Sequence, residues 1–500
     1  MEAKKGTLSS EALRDEGNKA FKSGAFHDAI KFYSQAIELD PNEAALLSNR
    51  SASYIKVKEF RKAAADAEGA IASDRTFAKA YSRLHNALCH LGRFEEAAQK
   101  LGNAVSILEN CEVSLEDKRN VQELHKDAER GRKAFETGRH LLEQLDFVAA
   151  ERELAPLAQS FPDCAIVGIM LGESRAARFP ESVIGDLAAF SSTHSNDPYY
   201  LYVRSLATYY LGPSGFVTAQ SILRHTIEMD PDNRKAVELL KKIRAIESQK
   251  TEGNNAFKNK QFADAINFYS AAMAIDLTNV RLVAVLRGNQ AAAKMELKNF
   301  SSALLDCDFA INNGAGNAKL YARRSRIHQA LDNHDDALRD IQRAAEMDSS
   351  YSGEAQQAKI NAKRAKRKDY YKILGISQGE ADEASVKRAY KKSCLQWHPD
   401  KWAHASEEEK AHAEKMFKDV GEAFSILSDP QKKRLYDSGQ LDNASSGVSG
   451  AGFPVHNGDV FEMMNMMFQG NFGQGGMHTG FSFSVNPNAR RHKRQSFRFM

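Results

Sequence analysis

The stretch Phe26-His-Asp-Ala-Ile-Lys-Phe-Tyr-Ser-Gln-Ala36 carries an aromatic and two small residues that return at fixed distances along the chain. Phe26, Phe60 and Phe94 are spaced by 34, as are Ala29, Ala63 and Ala97, and again Ala36, Ala70 and Ala104. A period of that length marks a unit of two helices that cannot bury its apolar face alone and stacks on its neighbours. The small residues belong where helices approach closely, and the aromatic fills the space beside them. Phe262, Ala265, Tyr269 and Ala272 repeat the same offsets. Phe300, Ala303 and Ala310 follow 38 residues later, and His334, Ala337 and Ala344 return at 34. The longer step predicts one inserted helical turn within 276–286.

Between these arrays the pattern weakens. A polar helix rich in Lys and Glu is expected over 113–139, as a connection. Phe147, Ala150, Leu154, Leu157 and Pro162 keep the offsets of one repeat, and Phe216, Ala219, Leu223 and Pro231 those of another. Residues 164–200 read as helical but match poorly. The expectation is an all-α chain with a first array over 10–112, a linking helix and divergent repeats over 113–245, and a second array over 246–350. A basic capping or linker helix follows over 351–368, then a small helical domain over 369–439. The Gly-, Met- and Phe-rich tail, 440–500, is expected to be disordered.

Composition sets limits on function. The net charge of +4 over 500 residues argues for no particular partner. Five scattered cysteines without a CxxC pair fit a reducing compartment and offer no metal site. The opening residues lack an apolar h-region, so no signal peptide is expected, and no apolar run of about 18 residues suggests a membrane span. The cytosol is the default compartment, with the nucleus open. No GxxxxGK[ST] phosphate loop is present, so neither a nucleotide site nor any other cofactor is expected, and the chain does not read as an enzyme.

Residues 387–401, KRAYKKSCLQWHPDK, form a basic amphipathic helix that ends at His398-Pro399-Asp400. Pro399 cannot continue a helix and pushes His398 out of the α region, so an imidazole and a carboxylate are presented in a fixed turn. No nucleophile or metal motif accompanies them, which leaves acid–base catalysis without support. The segment resembles a J domain, the module of DnaJ-type co-chaperones. The matching pieces are Asp369-Tyr370-Tyr371 with Leu374-Gly375, the basic helix, and the His-Pro-Asp triad. Further on, Phe417-Lys418 leads through Glu422-Ala423-Phe424 to Leu427-Ser428-Asp429-Pro430, and Arg434, Tyr436 and Asp437 follow. The resemblance implies that Lys387, Arg388, Lys391 and Lys392 dock on an acidic surface of an ATP-bound 70-kDa chaperone. It implies that Asp400 pairs with an arginine of that partner, with His398 and Pro399 setting its angle, and that the partner's ATP hydrolysis is accelerated. The plain alternative is a solvated basic face.

The 34-residue units resemble tetratricopeptide repeats, and two of the arrays carry the same five polar positions. Arg14 and Asn18 lie four apart on one helix, Asn49 on the next first helix, and Lys79 and Arg83 on the third. Lys250, Asn254, Asn289, Lys319 and Arg323 recur in the second array. This set resembles the dicarboxylate clamp of chaperone-binding tetratricopeptide domains, which holds a C-terminal Glu-Glu-Val-Asp peptide. Two neighbouring carboxylates need several donors, and Lys, Arg and Asn supply charge and direction. The implied ligands are the tails of the 70-kDa and 90-kDa heat-shock chaperones. Two departures stand out: Arg14 replaces the usual Lys, and Arg287-Gly288-Asn289-Gln290 stands where the first array has Leu47-Ser48-Asn49-Arg50.

The order of parts is similar to that of tetratricopeptide-repeat J-domain co-chaperones, which implies an adaptor that passes client proteins between the two machines. Rival readings are a scaffold whose repeats hold unrelated proteins, and an RNA-associated protein acting through the basic run 362–368. That run lacks interleaved aromatics, so nucleic acid is not the expected partner. A Met-rich segment over 461–468 and a Gly/Phe-like stretch over 470–483 are candidates for client contact.

Overall fold

The structure is a computed structural model that describes residues 9–366 and 368–438. The chain divides into two compact units, Met1–Ala358 and Lys359–Met500. Among the described residues every regular element is helical.

The first unit is a tetratricopeptide solenoid. It opens with three hairpins, α1 (Ser10–Lys22) with α2 (Phe26–Leu39), α3 (Ala44–Lys56) with α4 (Phe60–Ser73), and α5 (Ala78–His90) with α6 (Phe94–Glu109). The repeating alanines are the points of closest approach: Ala29, Ala36, Ala63 and Ala70 have no exposed surface. Glycine is needed at Gly17, because a Cβ there would lie 2.5 Å from the ring of Tyr33.

The polar helix expected as a connection is α7 (Leu115–Glu143), and it does more than connect. Its first half closes the first core through Val121 and Ala128. Its second half pairs with α8 (Phe147–Ser160), where Gly138 meets Leu154 as Gly17 meets Tyr33, sixteen residues on in each case. The divergent middle continues through α9 (Ala165–Arg175), α10 (Pro180–Ala188), the short α11 (Ser191–His194), α12 (Pro198–Tyr210) and α13 (Phe216–Met229). Next comes α14 (Arg234–Lys258), a single 25-residue helix. The boundary expected at 245/246 therefore falls inside a helix. Leu239 and Ile243 of α14 belong to the same apolar cluster as Phe216, and Ala256 to the same cluster as Tyr269.

The second array comprises α15 (Phe262–Ile275), α16 (Val280–Glu296), α17 (Phe300–Ala310), α18 (Ala318–Ala330) and α19 (His334–Met347), followed by α20 (Ser352–Ala365). Helix α16 has 17 residues against 13 in α3, so the inserted turn extends this helix rather than the loop before it. Each hairpin turn is alike in seven repeats: the residue two before the second helix is left-handed. It is glycine at Gly24 and Gly92, but Lys58, Leu145, Lys260, Lys298 and Asp332 elsewhere.

The second unit packs α21 (Tyr370–Leu374), α22 (Glu383–Trp397), α23 (Glu407–Leu427) and α24 (Pro430–Ser438) around Tyr371, Val386, Tyr390, Val420 and Phe424. Asp369 and Asp382 cap α21 and α22 by accepting from backbone N–H groups. Ser406 and Glu409 form a capping box on α23. Gly421 sits buried within α23. The tail 440–500, with its Met- and Phe-rich stretches, lies outside the described residues.

Candidate functional site

In the first array α1 lies against α3 and α3 against α5, which sets the helices carrying the five polar positions side by side. Tyr33 fixes the centre: its hydroxyl donates to the Asn18 carbonyl oxygen at 2.8 Å. The Asn49 amide donates to the same oxygen at 3.3 Å. Burial pushes the Tyr33 phenol up to about 12, so it remains a donor. With its carbonyl so occupied, Asn18 has its own amide N–H groups to offer. The exposed Lys79 forms no ion pair among the described residues. Arg83 is half-buried, its Nε is enclosed without a partner, and burial lowers its pKa. Arg14 is differently placed. It donates to Glu43 at 2.8 Å and to Glu11 at 3.4 Å.

The second array reproduces the centre. Tyr269 donates to the Asn254 carbonyl at 2.8 Å, and the Cβ that Gly253 lacks would lie 2.6 Å from the Tyr269 ring. Arg323 donates to the Gly288 carbonyl and is lowered by burial, with Tyr269 near enough to couple to its charge. Lys250, Lys319 and Asn289 make no ion pair or side-chain hydrogen bond among the described residues. The structure thus joins α1 to α3 through Asn18 and Asn49, and α16 to α18 through Gly288 and Arg323. Among the described residues no hydrogen bond joins the remaining clamp positions to one another.

Tyr33 and Tyr269 hold the asparagines and were not foreseen as part of the site. The signal was present, since Gly17–Tyr33 and Gly253–Tyr269 share one spacing. The departure at Gln290 also has a structural account. In the first array Arg50 forks onto buried Asp66 at 2.7 and 2.8 Å and donates to Ser34 at 3.0 Å. Gln290 donates instead to Ser270 at 2.6 Å and to the Ile266 carbonyl at 2.9 Å. Asp306, in the place of Asp66, is neutralised by Lys294 at 2.5 Å.

In the second unit Val386, Tyr390 and Cys394 bury one face of α22. Lys387, Arg388, Lys391 and Lys392 occupy the exposed face beside Leu395, which is 52% exposed. Lys387 pairs with Glu383 at 2.5 Å, and Arg388 donates to the Ala384 carbonyl at 3.3 Å. Lys391 and Lys392 carry no ion pair among the described residues. Backbone extension at His398 (φ −61°, ψ 131°) ends the helix before Pro399. The His398 ring stands edge-on to Phe417 of α23 at 5.9 Å, and its Nδ1 accepts from the Asp400 N–H at 3.3 Å. Trp397 stacks on Trp402 at 5.6 Å, and Trp402 Nε1 donates to the Gln396 carbonyl at 3.1 Å. The turn is therefore tied at both ends, while the Asp400 carboxylate is 90% exposed. Of the basic run 362–368, Lys368 is committed to Asp419 and Glu422 at 2.7 and 2.6 Å.

Residues 369–437 match the DnaJ domain family. The chain is 34% identical to the DnaJ homolog subfamily C member 7 homolog of Dictyostelium discoideum, over 94% of this chain and 85% of that one. It is 31% identical to the human DnaJ homolog subfamily C member 7, over 95% and 92%. Among solved structures, the tetratricopeptide domain of P58(IPK) overlaps 72% of this chain and 99% of its own, at 16% identity and a TM-score of 0.47. The extent of the two relatives' sequence matches, across solenoid and J domain together, places the chain in the DnaJ homolog subfamily C member 7 family of tetratricopeptide J-domain co-chaperones.

Proposed function

We propose that the two outer arrays are carboxylate clamps for the C-terminal tails of the 70-kDa and 90-kDa chaperones, and that the J domain stimulates the 70-kDa chaperone's ATPase. One observation carries the clamps: Arg83 and Arg323 are largely desolvated guanidinium groups with no carboxylate partner among the described residues. A buried cation without a counter-charge is costly, so such a group suits a site completed by an anionic ligand. Lys79 and Lys319 add mobile charge, and Asn18 and Asn254 add oriented amides. Three or four charge-assisted bonds, less the cost of ordering a flexible tail, correspond to roughly micromolar affinity. With one tail on each array, the protein would hold both machines and pass clients between them.

The test is titration of the full chain with a peptide ending in Glu-Glu-Val-Asp. Lys79→Glu and Lys319→Glu should each remove one site, the pair should remove both, and amidating the terminal carboxylate should abolish binding. Binding that ignores both reversals would favour a scaffold for other partners. For the J domain, Asp400→Asn should abolish stimulation of the chaperone's ATPase. Because that carboxylate is exposed, the melting behaviour should be unchanged.

A further inference from the structure

Arg14 and Lys250 are the first cations of the two clamps, and their surroundings differ. Arg14 Nη1 lies 2.8 Å from a Glu43 carboxylate oxygen, both side chains being about 30% exposed or less. Glu43 is the residue before α3, and its side chain makes no capping bond to that helix. It stands six positions before Asn49. Six positions before Asn289 stands Val283, which is buried. Lys250 accordingly has no carboxylate partner among the described residues. The inserted turn of α16 accounts for the difference, because it replaces the end of a loop with helix at this position.

We infer that Glu43 is a specificity-determining residue of the first clamp, a built-in carboxylate that competes with the incoming acidic tail for Arg14. This rests on the clamp reading above. An arriving carboxylate must displace Glu43 or share the guanidinium with it. Either way the first array offers fewer available cations than the second, where Lys250, Lys319 and Arg323 all lack an acidic partner among the described residues. The first array is then the weaker and more discriminating site. It demands a ligand that gains enough from Lys79, Arg83 and the asparagines without full use of Arg14.

The experiment uses the full chain carrying Lys319→Glu, so that the first array alone is read, and a peptide ending in Glu-Glu-Val-Asp with a free carboxylate. Glu43→Gln should tighten binding about two- to fivefold, the range of a partly exposed ion pair. Glu16→Gln changes net charge equally but touches Lys19 rather than Arg14, and should leave affinity unchanged. In the Lys79→Glu chain, which reads the second array, Glu43→Gln should have no effect. Unchanged or weaker binding in Glu43→Gln overturns the inference, as does equal tightening in Glu16→Gln. Where binding in the Lys319→Glu chain survives an added Lys79→Glu, the clamp reading fails and the inference falls with it. Where Lys79→Glu abolishes that binding and only the Glu43 effect is missing, the inference alone is overturned.

Discussion

Arg323 and Arg324 are consecutive on α18, and among the described residues only Arg324 has a counter-charge. Arg324 forks onto Asp340 at 2.7 Å through two nitrogens and reaches Asp308 at 2.7 Å with the third. Arg323 donates to a backbone carbonyl and meets no carboxylate among the described residues. Equal substitutions should therefore have opposite readouts. Arg324→Met strands a buried Asp340 and should cost about 3 kcal/mol of stability, measured by denaturant unfolding. Arg323→Met should change stability by less than about 1 kcal/mol while abolishing peptide binding by the second array. The contrast separates a group kept for the fold from one kept for a ligand.

The asparagine–tyrosine pairs make a second prediction. A Cβ at position 17 would lie 2.5 Å from the Tyr33 ring, and one at 253 would lie 2.6 Å from that of Tyr269. Gly17→Ala should push the ring away from Asn18, at a cost of about 1–3 kcal/mol for overpacking. Tyr33→Phe keeps the packing and removes only the hydroxyl that orients Asn18. It should weaken tail binding at the first array with little change in melting, and a titration beside a thermal scan distinguishes the two variants.

The hairpin turns show where local sequence misleads. Lys58, Lys260 and Lys298 hold φ near +60°, a region in which a side chain is strained and glycine is not. Replacing Lys260 or Lys298 by Gly should raise stability by about 0.5 kcal/mol, whereas Gly24→Ala should lower it by about 1 kcal/mol, in denaturant unfolding of the full chain.

The outer arrays and the J domain were legible because their packing repeats. Ala29, Tyr33 and Ala36 recur with their spacing intact, and the His-Pro-Asp turn is a local steric device. The middle was harder, because Leu154 replaces tyrosine opposite Gly138, because α7 serves two neighbouring cores, and because α14 runs through one core that joins the middle to the second array. A helix that continues through one core has no terminus where the pattern changes, so the boundary at 245/246 had no local signal to mark it. The ten positions proposed as clamps are picked out by spacing. Their partners could not, since the pairing of Arg14 with Glu43 spans two helices and depends on where a loop ends. The same holds for Lys368, whose contacts with Asp419 and Glu422 are about fifty residues distant in sequence.

The solenoid should also carry a pH dependence of its own. His90 stacks on Phe60 at 4.3 Å and meets Phe161 edge-on at 5.4 Å, with Nδ1 enclosed and unpartnered. Burial lowers its pKa below the ordinary 6.5, with Asp163 opposing and Lys58 reinforcing that direction. His85 is lowered by burial as well, against a small opposing effect of Asp127. The unfolded chain then takes up protons below about 6.5 that the folded chain refuses. Stability contributed by these groups is complete above that pH and is lost as pH falls through the window between the unfolded and folded values. Thermal scans from pH 7.5 down to pH 5 should show a falling midpoint at pH values where carboxylates with lowered pKa, such as Glu151, remain ionised. His90→Phe keeps an aromatic ring between Phe60 and Phe161 and removes the titrating group. Its midpoint should fall less steeply over the same range, and an unaltered slope in that variant would assign the dependence to other groups.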